Sequence, residues 1–152
     1  MKLSRKTLIG LLVTAALITG LSAYAQVKRP YRNASVWNLA LIRIKPGMNT
    51  AYLNYLATTW KANQEAAKKE GLILSYKVLA TESHSESDWN VILMTEYKDL
   101  ATMEANQDKA DALAQKVVGD DQKQMEGYKD RAAIREVLGD RIAREITLEP
   151  KP

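Results

Sequence analysis

Two short stretches limit what this chain can fold into. "VWNLALIRI", residues 36–44, and "WNVILMTEY", residues 89–97, are apolar on both alternating sets of positions. Each is too short for a buried helix and too continuous for a strand with one wet face. Each therefore reads as a central strand covered on both sides. In the first, Val36, Ala40, Ile42 and Ile44 share one side, and Trp37, Leu39 and Leu41 the other. In the second, Trp89, Val91 and Leu93 oppose Ile92 and Met94. A sheet with these two strands at its centre has two apolar faces to cover.

The segments between them set the element order. "KPG" stops the first strand, and Tyr52, Tyr55, Leu56, Trp60, Asn63 and Ala67 then recur at three- and four-residue steps, one face of a helix. Asn49 or Thr50 is placed to cap its start and Gly71 to end it. "LILSYKVLA", 72–80, alternates as a strand and pairs with 89–97 as a hairpin across a polar loop. Asp99 caps a second helix with Leu100, Met103, Ala110, Leu113 and Val117 on one stripe, and "GDD" at 119–121 interrupts it. A third helical segment is expected to run to about Leu138, with Met125, Tyr128, Ala132 and Arg135 facing inward. A turn at Gly139-Asp140 then leads to a last strand ended by Pro150.

The order β-α-β-β-α-α-β predicts an α+β, ferredoxin-like fold: a four-stranded antiparallel sheet, helices on one face, first and third strands central. The uncovered apolar face would be an aggregation liability, and its simplest cover is the sheet of a second copy. Here the chain resembles the dimeric α/β-barrel superfamily, whose members include antibiotic-biosynthesis monooxygenases. The likeness lies in "IRIKPGMNTAYL", a strand ending in Lys-Pro-Gly before the first helix, and in "NVILMTEYKDLATMEA", a strand passing through Glu96-Tyr97 into the second. It implies a homodimer in which two sheets close into a barrel. It also implies a range of roles: small-molecule monooxygenases, haem-degrading enzymes, dehydratases and stress-related proteins.

The N-terminus carries an address. Lys2, Arg5 and Lys6 precede the apolar run "TLIGLLVTAALITGL", and Ala23 and Ala25 form an A-x-A site. This reads as a secretory signal peptide over residues 1–25, too short in its apolar part for a bilayer span. Residues 26–35, with Pro30, read as a polar tether, and 36–150 as the domain. Three of the 22 basic residues and none of the 18 acidic ones lie in the signal, which leaves 19 against 18, a net charge of +1. A basic balance would hint at nucleic acid or an anionic membrane surface, and at +1 that hint disappears, so neither is expected as a partner. The expected location is periplasmic or secreted, with no membrane attachment after cleavage. With no cysteine, stability must come from packing or oligomerisation.

Chemistry is sparse. There is no G-x-G-x-x-G, P-loop, G-x-S-x-G or H-E-x-x-H motif. The one histidine, His84, lies in the loop 81–88 near Glu82, Glu86 and Asp88. One imidazole with carboxylates on a loop lacks the convergent ligands a metal needs, so no metal and no cofactor is expected. Haem-degrading relatives carry an Asn on the first strand and an iron-ligating His on the second helix. Here Ala40 stands in the Asn position, Asn38 lies two residues earlier, and the second helix has no histidine, which disfavours haem. Asn38, Tyr76, Trp89 and Tyr97 are the candidates to line a ligand pocket, plain core or interface being their ordinary alternative. Two roles follow: a barrel holding a small apolar or aromatic molecule, or a cofactor-independent monooxygenase-like enzyme acting on a phenol or quinol.

Overall fold

A computed structural model of the chain describes residues 29–149 apart from 83, 84 and 86. The expected signal peptide and His84 lie outside the described residues. The stretch Arg32–Leu148 forms one compact unit. Pro30 and Glu149 belong to a second, in which the Glu149 N–H donates to the Pro30 carbonyl at 2.8 Å.

Four strands, β1 (Tyr31–Ile44), β2 (Ser75–Ala80), β3 (Val91–Tyr97) and β4 (Arg135–Leu148), form one sheet in the order β2-β3-β1-β4. β1 runs antiparallel to β3 from Val36↔Tyr97 to Ile42↔Val91, and β3 antiparallel to β2 from Ser75↔Glu96 to Ala80↔Val91. The two doubly apolar strands are therefore the central pair, and the fold is ferredoxin-like. β1 begins five residues before the expected position 36, so Tyr31–Ser35 is strand where a tether was expected. β1 and β4 are both 14 residues long, and the length of β4 gives those polar residues a ladder to join.

The turn after β1 follows from Pro46 and Gly47: the Met48 N–H donates to the Lys45 carbonyl at 3.0 Å, and Gly47 takes φ 76. That positive φ at the third turn position is open to glycine at little cost. The first helix then comprises α1 (Asn49–Tyr55), a π-helical turn (Leu56–Trp60) and α2 (Lys61–Lys69). Met48, not Asn49 or Thr50, is the N-cap, and no side chain caps it.

The π turn has a local rationale. Steps of four residues from Tyr52 to Leu56 to Trp60 would drift by about 80° around an α-helix. Extra residues per turn hold the three on the inner side. The Thr58 hydroxyl donates to the Asn54 carbonyl at 2.7 Å, which loosens the ordinary ladder there. At the far end Gly71 (φ 70) closes a Schellman-type stop, with the Leu72 N–H on the Ala67 carbonyl at 2.9 Å.

Asp99 caps the next helix as expected, accepting from the Thr102 N–H at 2.7 Å. That bond holds its carboxyl below the ordinary range. The helix divides into α3 (Leu100–Ala105) and α4 (Gln107–Val117). Asp120 then caps α5 (Asp121–Ile134), accepting from the Lys123 N–H at 2.9 Å.

α5 departs from expectation in two ways. It ends at Ile134 rather than near Leu138, and β4 follows at Arg135 without a turn at Gly139-Asp140. Lys45 makes the switch: its N–H takes the Ile134 carbonyl at 3.0 Å and its ammonium the Ala132 carbonyl at 2.8 Å. These are two of the helix-end acceptors that otherwise need water or a cap. The inward face also differs. Met125 and Tyr128 are 60% and 61% exposed, while Gln124, Gly127, Arg131 and Ile134 turn inward.

The core lies between the sheet and the helices, on the side of the even-numbered β1 residues. Ile42, Ile44, Val91, Tyr52 and Leu56 form one buried cluster; Ala67, Leu72 and Ile73 form another, joined by Tyr76, Tyr97 and Leu113. The stripe expected of the first helix is thus the one that packs.

Candidate functional site: a cavity beneath the helices and an open sheet face

Three of the four candidate residues reach the helix side of the sheet. Asn38 and Tyr76 both pair with Thr95, and Tyr97 pairs with Val36. Tyr76 packs edge-on against Trp60, with centroids 5.3 Å apart at 87°, and its hydroxyl donates to Glu65. That bond is the main reason its phenol titrates higher than usual. Trp89 stays apart, in the connection between β2 and β3, and is 37% exposed. Beside it the Asp88 N–H meets the Ser85 carbonyl at 3.2 Å, a turn on the sheet's rim.

Of the four, Tyr97 alone lines a cavity of about 280 Å³. The walls come from α2 (Asn63, Ala67), the segment after it (Leu72, Ile73) and the second helical pair (Met103, Leu113), with Glu104 and Gln107 alongside. Burial raises the Tyr97 phenol pKa, so the group stays a neutral hydrogen-bond donor at any ordinary pH. Gln64 and Asn106 add further polar lining, and Asn63 is distinct among these groups: its side-chain oxygen is buried and, among the described residues, finds no hydrogen-bond partner. A buried acceptor left empty is costly and rare, and it is satisfied when a guest supplies a donor. Sequence reasoning placed Asn63 on the inner stripe without assigning it a role. The signal was there, since it is the one amide in an otherwise apolar and aromatic series.

The opposite face of the sheet is apolar at its centre and rimmed by charge. Leu39 and Leu41 on β1 pair with Met94 and Ile92 on β3, and these with Lys77 and Leu79 on β2. At one end the Trp37 indole N–H and the Ser35 hydroxyl both donate to Glu145 at 3.0 Å, and the Lys77 ammonium lies 5.0 Å from the Trp37 ring centroid. The two hydrogen bonds, the indole's first, hold the Glu145 carboxyl below its usual range. At the other end Arg43 pairs with Glu136. Among the described residues no element covers the middle of this face.

Among the described residues no group of three acidic or histidine side chains is placed to hold a metal ion, and no helix is long and apolar enough to cross a membrane. No family model matches the chain, and no curated protein does. Among solved structures it is similar to HapK from Hahella chejuensis, at 8% identity over 77% of this chain and 98% of HapK, with TM-score 0.49. It is similar at the same TM-score to a dimeric ferredoxin-like protein from an uncultured marine organism, at 14% identity over 79% of this chain and 100% of that one. The class is a ferredoxin-like α+β protein, on the strand order and pairing described above.

Proposed function

We propose that the protein is an exported homodimer that holds a small apolar or aromatic molecule bearing a hydrogen-bond donor. The binding reading rests on the cavity at Tyr97, and above all on the Asn63 oxygen, buried without a partner among the described residues, in a lining that joins Leu72, Ile73 and Leu113 to polar side chains. A phenol or similar guest would give its O–H to Asn63 and accept from Tyr97, while its ring replaces water against Leu72, Ile73 and Leu113. Native mass spectrometry against phenols, quinones, fatty acids and haemin tests the reading. A phenol bound with an affinity that falls in Asn63→Leu supports it. Haemin as the one tight guest would replace it.

The dimer rests on the open face. Leu39, Leu41, Ile92 and Met94 present an apolar patch that a two-fold copy would bury. Sedimentation at micromolar concentration should show two copies; monomer alone would refute the interface. Export rests on the n-region, apolar run and A-x-A site of residues 1–25. Intact mass of secreted or periplasmic material should show a chain beginning at Gln26.

One observation favours a monooxygenase-like second reading. The same cavity gathers a carboxylate, Glu104, and a perturbed phenol, Tyr97, the pairing that acid–base work on a phenol or quinol would use. Oxygen uptake with a quinol, abolished in Glu104→Gln with binding retained, would establish it.

A further inference from the structure

The inward face of α5 is chemically odd for a helix packed on aromatics. Where an apolar stripe is expected, it sets Gly127, Arg131 and Ile134 toward the first helix. Between them lies a groove of about 550 Å³, the size of a small-molecule site, and separate from the cavity at Tyr97. Its apolar wall is Ala62, Val117, Val118 and Ile134, and its floor includes Tyr55.

Arg131 is held in this groove by an aromatic ring rather than by a carboxylate. Its guanidinium carbon lies 5.0 Å from the Tyr55 ring centroid and 6.0 Å from that of Tyr128. Among the described residues its buried Nε–H has no acceptor and no ion pair engages the group. Lys123, Glu126 and Asp130 line the same groove but are solvent-exposed. Gly127 makes the room: a Cβ at that position would stand 3.0 Å from Arg131 Nη1.

The shortage of acceptors continues along the seam. Arg135 lies 5.7 Å from the Tyr52 ring centroid; among the described residues its Nε–H and the Tyr52 hydroxyl are buried without partners as well. Burial pushes the Tyr52 phenol up to about 12 against the opposing pull of Arg135 and Arg131, so it too remains a donor. Buried donors without protein acceptors are met by water or by an anion. A planar guanidinium steadied by a ring, with an apolar wall beside it, suits one anion class in particular.

We propose that the groove between the first helix and α5 binds an organic monocarboxylate, its carboxylate on the Arg131 guanidinium and its apolar body against Val117, Val118 and Ile134. At the exposed rim Lys123, Glu126 and Asp130 leave one negative charge in excess, screened by solvent, whereas the half-buried Arg131 is screened less. The groove thus offers one anchoring cation, which suits a monoanion better than a dianion such as phosphate.

Methyl NMR of the purified protein, titrated with benzoate and octanoate, tests this. Expected are saturable shifts at the Val117, Val118 and Ile134 methyls below about 10 mM. Benzamide, octanamide and inorganic phosphate should bind about tenfold more weakly or not at all. Arg131→Gln should weaken benzoate about tenfold, and Gly127→Ala, by displacing Nη1, should weaken it as well. The amide comparison uses the unaltered protein, so it stands even where Arg131→Gln does not fold. Shifts at Met103 and Leu113 instead would place the carboxylate in the other cavity and overturn the proposal. So would equal binding of acid and amide, or no saturable shift.

Discussion

Neighbouring residues of β1 have opposite fates. Ile42, 1% exposed, is enclosed beneath the first helix with Tyr52, Leu56 and Val91, while Leu41 lies on the open side with Ile92 and Leu79. The chemistry of the two faces is nearly the same; the difference lies in what is supplied to cover them. The helix side is completed within one chain, so its contribution to stability does not depend on concentration. Among the described residues the open side has an apolar centre and a charged rim but no cover, so under the proposed dimer its stabilisation would enter on association, as a mass-action term.

The sharpest way to break this comparison is to damage each face in turn. Ile42→Ala should cost about 2–5 kcal/mol in urea unfolding at every protein concentration, the cavity cost of a fully enclosed aliphatic side chain. Leu41→Asp should leave the isolated fold close to intact but convert dimer to monomer in micromolar sedimentation, because a two-fold contact would bring two carboxylates together in an apolar centre. Were Leu41→Asp to unfold the chain at all concentrations, or to leave a folded dimer intact, the faces would not be divided as described.

A smaller effect probes the cavity on the helix side. Asn63→Leu should raise the ligand-free protein's stability by about 1 kcal/mol, because it removes a buried acceptor that has no partner. The same change should weaken a phenolic guest about tenfold, the loss of one buried hydrogen bond. Loss of stability instead would mean that the Asn63 oxygen is already satisfied by ordered water.

The smallest effect lies on the rim of the open face. The folded-state pKa of Glu145 is depressed by the Trp37 and Ser35 hydrogen bonds. Its contribution is therefore present above the ordinary carboxylate pKa and fades as pH falls through the folded value. Glu145→Gln should flatten that acid limb slightly, read as a smaller loss of Tm between neutral and acid pH. An unchanged limb would mean that the indole–carboxylate contact carries no net stability in water.

How far the fold and site could be read from residues differs from element to element. The central place of β1 and β3 was legible because burial on both faces leaves a run with no polar alternation. The first helix was legible because Tyr52, Leu56, Trp60, Asn63 and Ala67 repeat with the helical period. The stops at Gly47 and Gly71 were legible because the backbone there requires positive φ. α5 was misread because its apolar residues, Met125, Tyr128 and Ala132, form a stripe that the structure leaves outside. A stripe states which residues share a face, and not which way that face turns. Of the four candidate ligand residues only Tyr97 reaches the cavity, since sequence position constrains the side of a strand but not the space above it.

What the sequence determined by itself is local: the apolarity of β1 and β3 on both faces, the glycine-bounded turns, the aspartate cap of Asp99. Each depends on a residue and neighbours within one turn or one strand step, where sterics and short hydrogen bonds decide. Only the tertiary structure decided where α5 gives way to β4, since that boundary is set by Lys45, nearly ninety residues earlier in the chain, capturing the carbonyls of Ala132 and Ile134. It likewise decided that Asn63 and Tyr97 share a cavity and that Arg131 rests on Tyr55. Those contacts join elements far apart in sequence, and the free energy that selects them belongs to the packed assembly of elements rather than to any one of them.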